Sequence, residues 1–164
     1  MEFRCGRTEE YMTMMCPRCY QMIKKKVHIS IENDPDFVFV VHPYLSCPEC
    51  QEDMVVIDEE ITEEIQALNL AGYKTRYSCA GHYPYAWQMY VVFENDSIRN
   101  LINNHQISIP KNMHFEEKVQ GLILYTNDSL MNSNRSYDLL HKELLRDFKR
   151  FVRSITSITS KKAP

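Results

Sequence analysis

Two Cys-Pro-x-Cys pairs, Cys16-Pro17-Arg18-Cys19 and Cys47-Pro48-Glu49-Cys50, constrain this chain more than any other feature. Thiolates three residues apart on a tight turn converge on one ion, the proline fixes the backbone, and the freed turn amides face the sulfurs. A second pair completes a tetrahedral four-sulfur shell with no position left for water, so the expected cofactor is a structural Zn2+ rather than a catalytic one. A redox dithiol and an iron centre use the same ligand types. Two matched pairs speak against the redox use. Six cysteines in a secreted chain would suggest disulfides, yet residues 1–13 are polar and lack the apolar core of a secretory signal. A cytoplasmic protein with reduced thiols is therefore expected.

The stretch between the pairs reads as a β-hairpin. Lys26-Val27-His28-Ile29-Ser30-Ile31 alternates, Asn33-Asp34-Pro35-Asp36 supplies turn chemistry, and Phe37-Val38-Phe39-Val40-Val41 is a β-branched and aromatic run. A hairpin with a cysteine knuckle at each outer end resembles the zinc-ribbon family, over residues 14–56. That resemblance is specific for metal but not for role, because such ribbons serve enzymes, nucleic-acid binders and protein adaptors.

The remaining residues, 57–160, read as a small α/β domain, so the expected class is α+β: an N-terminal ribbon followed by an α/β sandwich of mixed or antiparallel sheet with a long C-terminal helix. Asp58 can cap a helix with Glu59 and Glu60 in its first turn and an apolar stripe of Ile57, Ile61, Ile65 and Leu68, ended by Gly72. Alternation predicts strands over 73–79 and 87–93, paired antiparallel. Ser97 can cap a short helix with Ile98, Leu101 and Ile102 inward, and strands are expected over 107–109 and 118–125, giving the order β-α-β-β-α-β. The Asn- and Ser-rich segment 126–136 reads as a connector or a lid. From Tyr137 onward, Leu140, Leu144, Phe148, Phe151, Ile155 and Ile158 recur at steps of three and four, which requires a long helix with one buried stripe.

The second distinctive element is Ser78-Cys79-Ala80-Gly81-His82, followed by Tyr83, Tyr85 and Trp87. Gly81 allows close backbone approach, Ser78 and His82 supply hydrogen bonds, and the aromatic rings offer faces on which a base can stack. Ser78, Cys79, Gly81, His82, Tyr83, Tyr85 and Trp87 are thus the candidate residues for a small nucleotide-like ligand. The competing readings are a buried core cysteine beneath a sheet cover, a nucleophilic Cys79 assisted by His82, and a second metal on Cys5, Cys79 and His82.

The run Asp58-Glu59-Glu60-Ile61, Ile65, Leu68-Asn69, Tyr73, Thr75 and Ser78-Cys79-Ala80-Gly81-His82 resembles a signature of the wybutosine-synthesising methyltransferase family. That signature comprises an Asn near a helix end, a Tyr-x-Thr strand and a Ser-Cys-x-Gly turn. The resemblance implies a site for S-adenosylmethionine and a modified tRNA base, with Ser78, Cys79 and Gly81 as pocket residues. The chain departs from the pattern at His82, where the family has a basic residue, and carries the cysteine pairs that the pattern lacks.

Function is less constrained than the metal. A net charge of −3 over 164 residues argues against a surface that coats nucleic acid, although Lys24-Lys25-Lys26, a basic stripe (Lys142, Arg146, Lys149, Arg150, Arg153) and Lys161-Lys162 leave room for a local patch. No apolar run approaches the roughly 18 residues of a membrane span. The first expectation is a zinc-containing, non-catalytic module holding a nucleotide-like ligand at the 78–87 loop. By analogy alone it would be a phage or mobile-element protein that sequesters a signal or blocks a host factor. The alternatives are a nucleic-acid or host-protein interaction module, and an RNA- or nucleotide-modifying, methyltransferase-like enzyme. The stripe of the last helix also admits a homo-oligomer.

Overall fold

The computed structural model describes residues 6–33, 38–41, 45–81, 88–118, 121–126 and 136–160. The chain divides into two compact units, Met1–Glu59 and Glu60–Pro164. Among the described residues, two four-stranded antiparallel sheets and three α-helices make it an α+β protein.

In the first unit, β1 (Gly6–Met15) and β2 (Met22–Asn33) pair antiparallel from Gly6↔Ile31 to Met15↔Met22, so that Cys16–Cys19 is the tip between them. β3 (Val38–Val41) adds to β2 and β4 (Val55–Ile57) adds to β1, giving the order β3-β2-β1-β4. The expected hairpin is therefore present as β2 and β3, while its turn, 34–37, lies outside the described residues. Strand β1 runs through the polar N-terminal stretch, for which the sequence pattern predicts no element. Its polar residues hide a strand whose end turns apolar, with Met14 and Met15 buried and Tyr11 exposed. A partner sheet supplies what local pattern does not. The second pair sits in a smaller hairpin closed by the Ser46↔Asp53 bridge and by Met54 N–H donating to Leu45 O at 2.8 Å.

A 3-10 turn, Glu59–Ile61, leads into the second unit and runs into α1 (Thr62–Leu70). The helix is thus not capped at Asp58; its N-cap position is Ile61, without a side-chain cap bond. Ile61, Ile65 and Leu68 are buried as the stripe requires. The later elements are β5 (Thr75–Cys79), β6 (Tyr90–Phe93), α2 (Ser97–His105), β7 (Met113–Lys118), β8 (Gly121–Thr126) and α3 (Tyr137–Ser160). The order is α-β-β-α-β-β-α, not β-α-β-β-α-β. Residues 107–109 form no strand, and the stretch 118–125 belongs to a hairpin, β7–β8, rather than to one strand. Ser97 is the first helical residue of α2 rather than its cap, and its amide donates instead to Asn95 Oδ1 at 3.0 Å.

The sheet order β5-β6-β8-β7 leaves β6 and β8 central, which is why their residues read as nearly continuous apolar runs. Val91 and Phe93 on β6, with Leu122 and Leu124 on β8, face the helices and are fully or nearly fully buried. Phe115 on β7 joins them, its ring 6.2 Å from Phe93 and 6.4 Å from Phe151 of α3. Leu144, Phe148, Phe151, Val152 and Ile155 line the buried side of α3. Helix α1 is tied to α3 by Lys149 Nζ, 3.7 Å from Glu64 Oε2.

Asn69 locks α1 to β5. Its Nδ2 donates to Ile65 O and to Thr75 Oγ1, both at 2.8 Å, and its Oδ1 accepts the Thr75 N–H at 2.9 Å. These are the Asn and Thr of the methyltransferase-like signature, and here they hold a helix end to a strand start. The motif thus has a structural use independent of any reaction.

Candidate metal centre and the end of strand five

The two cysteine turns are built alike. In the first, Cys16 N–H donates to Gln21 O at 2.9 Å and Tyr20 N–H to Cys16 O at 3.0 Å; in the second, Cys47 N–H donates to Glu52 O at 2.8 Å and Gln51 N–H to Cys47 O at 2.9 Å. Closing the turn this way places the residue after each second cysteine in the left-handed region, Tyr20 and Gln51 both at φ 61°. Neither is glycine, so each turn carries strain of about 1–2 kcal/mol that the closed arrangement must offset. Arg18 and Cys19 amides point at Cys16 Sγ from 3.4 and 3.5 Å.

The four sulfurs lie within 4.8 Å of one another. Cys16 and Cys50 are 3.3 Å apart, Cys19 and Cys47 3.6 Å, and Cys19 and Cys50 3.9 Å. A tetrahedral ion with metal–sulfur bonds of about 2.3 Å requires sulfur–sulfur edges of about 3.8 Å. The cluster therefore has the dimensions to hold one metal ion, and the sulfurs are free thiols rather than disulfides. Met14 and Met54 are buried together with Cys16 and Cys47, and Ile23, Leu45 and Val56 pack against them. Gln21 Oε1 accepts from Cys47 Sγ at 3.5 Å, a second-layer contact that the cysteine spacing did not reveal.

The protonation of these thiols is uneven. Burial works to raise the Cys16 thiol, but the Cys19 and Arg18 amides and the Cys50 and Cys19 thiols donate to its sulfur and bring it from 9.0 down to about 7. For Cys50 the Glu52 amide favours the thiolate, yet the neighbouring Cys16 sulfur, desolvation and the other two thiols prevail and push it up to about 12. Cys19 has its Gln21 backbone contact favouring the thiolate but is raised on balance by desolvation and by Cys16 and Cys47. With Cys19 and Cys50 raised while Cys16 is lowered, these thiols do not ionise together at neutral pH without a cation. A bound divalent cation would make such neighbouring thiolates compatible.

The second candidate region lies at the end of β5. Ser78 pairs opposite Val91, in register with Leu124 and Phe115 on the helix side, whereas Cys79 pairs opposite Tyr90 and heads a row that continues through Tyr125 to His114 on the other face. Gly81, at φ 91°, turns its N–H onto Cys79 Sγ at 3.3 Å. Ala80 is fully buried and its carbonyl accepts from His141 Nε2 of α3 at 2.8 Å, with the His141 ring stacked on Tyr137 at 5.4 Å. His141 was invisible to local motif reading because it lies some sixty positions downstream in the chain. His82, Tyr83, Tyr85 and Trp87, like Cys5, Lys161-Lys162 and most of the 126–136 segment, lie outside the described residues.

The basic stripe on α3 is less available than its charge suggests. Arg146 and Arg150 share Asp147 at 3.3 and 3.9 Å, and Lys149 faces Glu64. Among the described residues no helix is long and apolar enough to cross a membrane. No protein-family model, no curated protein and no solved structure matches the chain.

Proposed function

We infer that this is a binding protein of a reducing compartment. Zn2+ on Cys16, Cys19, Cys47 and Cys50 organises a zinc-ribbon-like first unit, and the second unit takes a small nucleotide-like ligand at the end of β5, around Cys79 and Gly81; Ser78, expected to line the same site, turns to the helix side instead, opposite buried Val91. A closed four-sulfur shell stabilises a fold and offers no open coordination position, so the metal serves the architecture rather than a reaction. The observation that carries the ligand reading is the pinned backbone at 79–81. His141 holds the Ala80 carbonyl, Gly81 folds back onto Cys79, and Cys79 leads directly into the row of Tyr90 and Tyr125. A preorganised strand end beside aromatic faces lowers the ordering cost of binding a flat ligand. The local neutralisation of Arg146, Lys149 and Arg150 makes α3 a weaker candidate surface for a nucleic-acid backbone.

Native mass spectrometry of protein purified from cells, before and after denaturation, tests both parts. One zinc together with a ligand of a few hundred daltons is expected. Zinc with no retained mass, and no nucleotide binding on later titration, would refute the ligand reading while leaving the metal centre standing.

A further inference from the structure

The face of the second sheet turned away from α3 has an unusual composition. An antiparallel sheet with helices on one side commonly shows polar side chains to water on the other. Here the two central strands place Tyr90, Val92, Ile123 and Tyr125 on that side, and the edge strand β5 adds Tyr77 in register with Val92. Together they form an open cleft of about 350 Å³. Val92 and Ile123 are its buried floor, while Tyr77 is 62% exposed and Tyr90 36%.

The groups around that floor define a ligand. Tyr125 is held edge-on by His114, its direct cross-strand partner, with ring centroids 4.6 Å apart. Lys118 Nζ lies over the Tyr125 ring, 5.2 Å from its centroid, and 3.4 Å from Glu116 Oε2, so an incoming phosphate exchanges with that carboxylate for the ammonium at the rim. Gln88 adds an amide, able to donate and accept, at the lining of the same cleft. A planar, apolar-faced group with a hydrogen-bonding edge and an attached anion matches tyrosine rings, an amide and an ammonium; sugars and aliphatic acids use only part of that set. The volume falls within the range of small-molecule sites and suits one nucleotide rather than a strand.

We propose that this cleft holds the base of a free nucleotide against Tyr77, Tyr90 and Tyr125, with Lys118 facing its phosphate. The inference rests on the nucleotide reading above and extends it, since Cys79 at the strand end shares a cross-strand row with Tyr90 and Tyr125.

Isothermal titration of the zinc-loaded full chain with AMP, GMP, CMP and UMP, at low and high salt, tests it. At least one of the four is expected to bind at one per chain. Tyr77→Ala, at an exposed position where folding is not at stake, and Tyr90→Ala should each weaken that binding by about 5- to 150-fold, the effect of losing one stacking partner. Tyr90→Phe should restore it, and Lys118→Ala should remove most of its salt dependence. Binding unchanged in Tyr77→Ala and Tyr90→Ala would overturn the cleft while leaving the nucleotide reading intact. Failure of all four nucleotides to bind the zinc-loaded wild-type protein would remove both. A single-stranded decanucleotide binding far more tightly than any mononucleotide would overturn the assignment to a free nucleotide.

Discussion

Replacing Asn69 by alanine removes three hydrogen bonds at once, because its amide donates to Ile65 O and Thr75 Oγ1 and accepts from Thr75 N–H. Not all three losses cost the same. Ile65 O keeps its place in the helix ladder and Thr75 Oγ1 can rotate, but Thr75 N–H is left buried without an acceptor. An orphaned buried amide costs about 1–3 kcal/mol. The space vacated by a side chain that is 2% exposed adds roughly 1 kcal/mol. A destabilisation of about 2–4 kcal/mol is therefore expected, lowering Tm by roughly 5–15 °C. Urea unfolding followed by circular dichroism measures it, with zinc content unchanged because the metal site lies in the other unit. Combining Asn69→Ala with Thr75→Val should give a coupling energy of about 0.5–3 kcal/mol. A loss below about 0.5 kcal/mol in Asn69→Ala would refute the view that this clamp fixes α1 to β5.

Zinc uptake at pH 7 should release at least the protons held by Cys19 and Cys50, both raised above the ordinary thiol value. Affinity should therefore climb with pH and fall on acidification, and titrations in buffers of different ionisation heat will show the release; buffer-independent heats would contradict it. At Gln51, φ 61° favours glycine, so Gln51→Gly should be neutral or stabilising by up to about 1 kcal/mol, whereas Gln51→Val should cost about 1–2 kcal/mol, both read from thermal unfolding. Gly121→Ala should destabilise the second sheet by at least about 2 kcal/mol, because φ is 126° there and an added Cβ would run into the Phe93 carbonyl of β6; wild-type stability in that variant would contradict the register.

The parts of the fold legible in the sequence are those governed by local spacing. The two cysteine turns, the β2–β3 pairing and the stripe of α3 follow from short-range pattern, since turn chemistry and periodicity act within a few residues. Strand β1 was not legible, because a polar strand is recognised through its partner and Met14 and Met15 gain their burial only once β2 and β4 flank them. The β7–β8 hairpin was missed because Met113 to Lys118 is mostly polar, and its pairing with β8 is what defines it. At the candidate sites the clustering of the four cysteines was readable but the contacts of Gln21 and His141 were not, one reaching Cys47 from beside the first turn and the other reaching Ala80 from a distant helix. The tyrosine cleft did leave a trace, Tyr90 and Val92 alternating with Val91 and Phe93, which becomes informative when the face opposite the helices is known.

Zinc K-edge X-ray absorption on protein purified without added metal, with metal content determined on the same sample, is the most direct measurement on the four-sulfur centre. One zinc per chain with four sulfur neighbours at about 2.3 Å is the expected result. Oxygen or nitrogen in the shell, or a folded protein without metal, would contradict a closed site on Cys16, Cys19, Cys47 and Cys50.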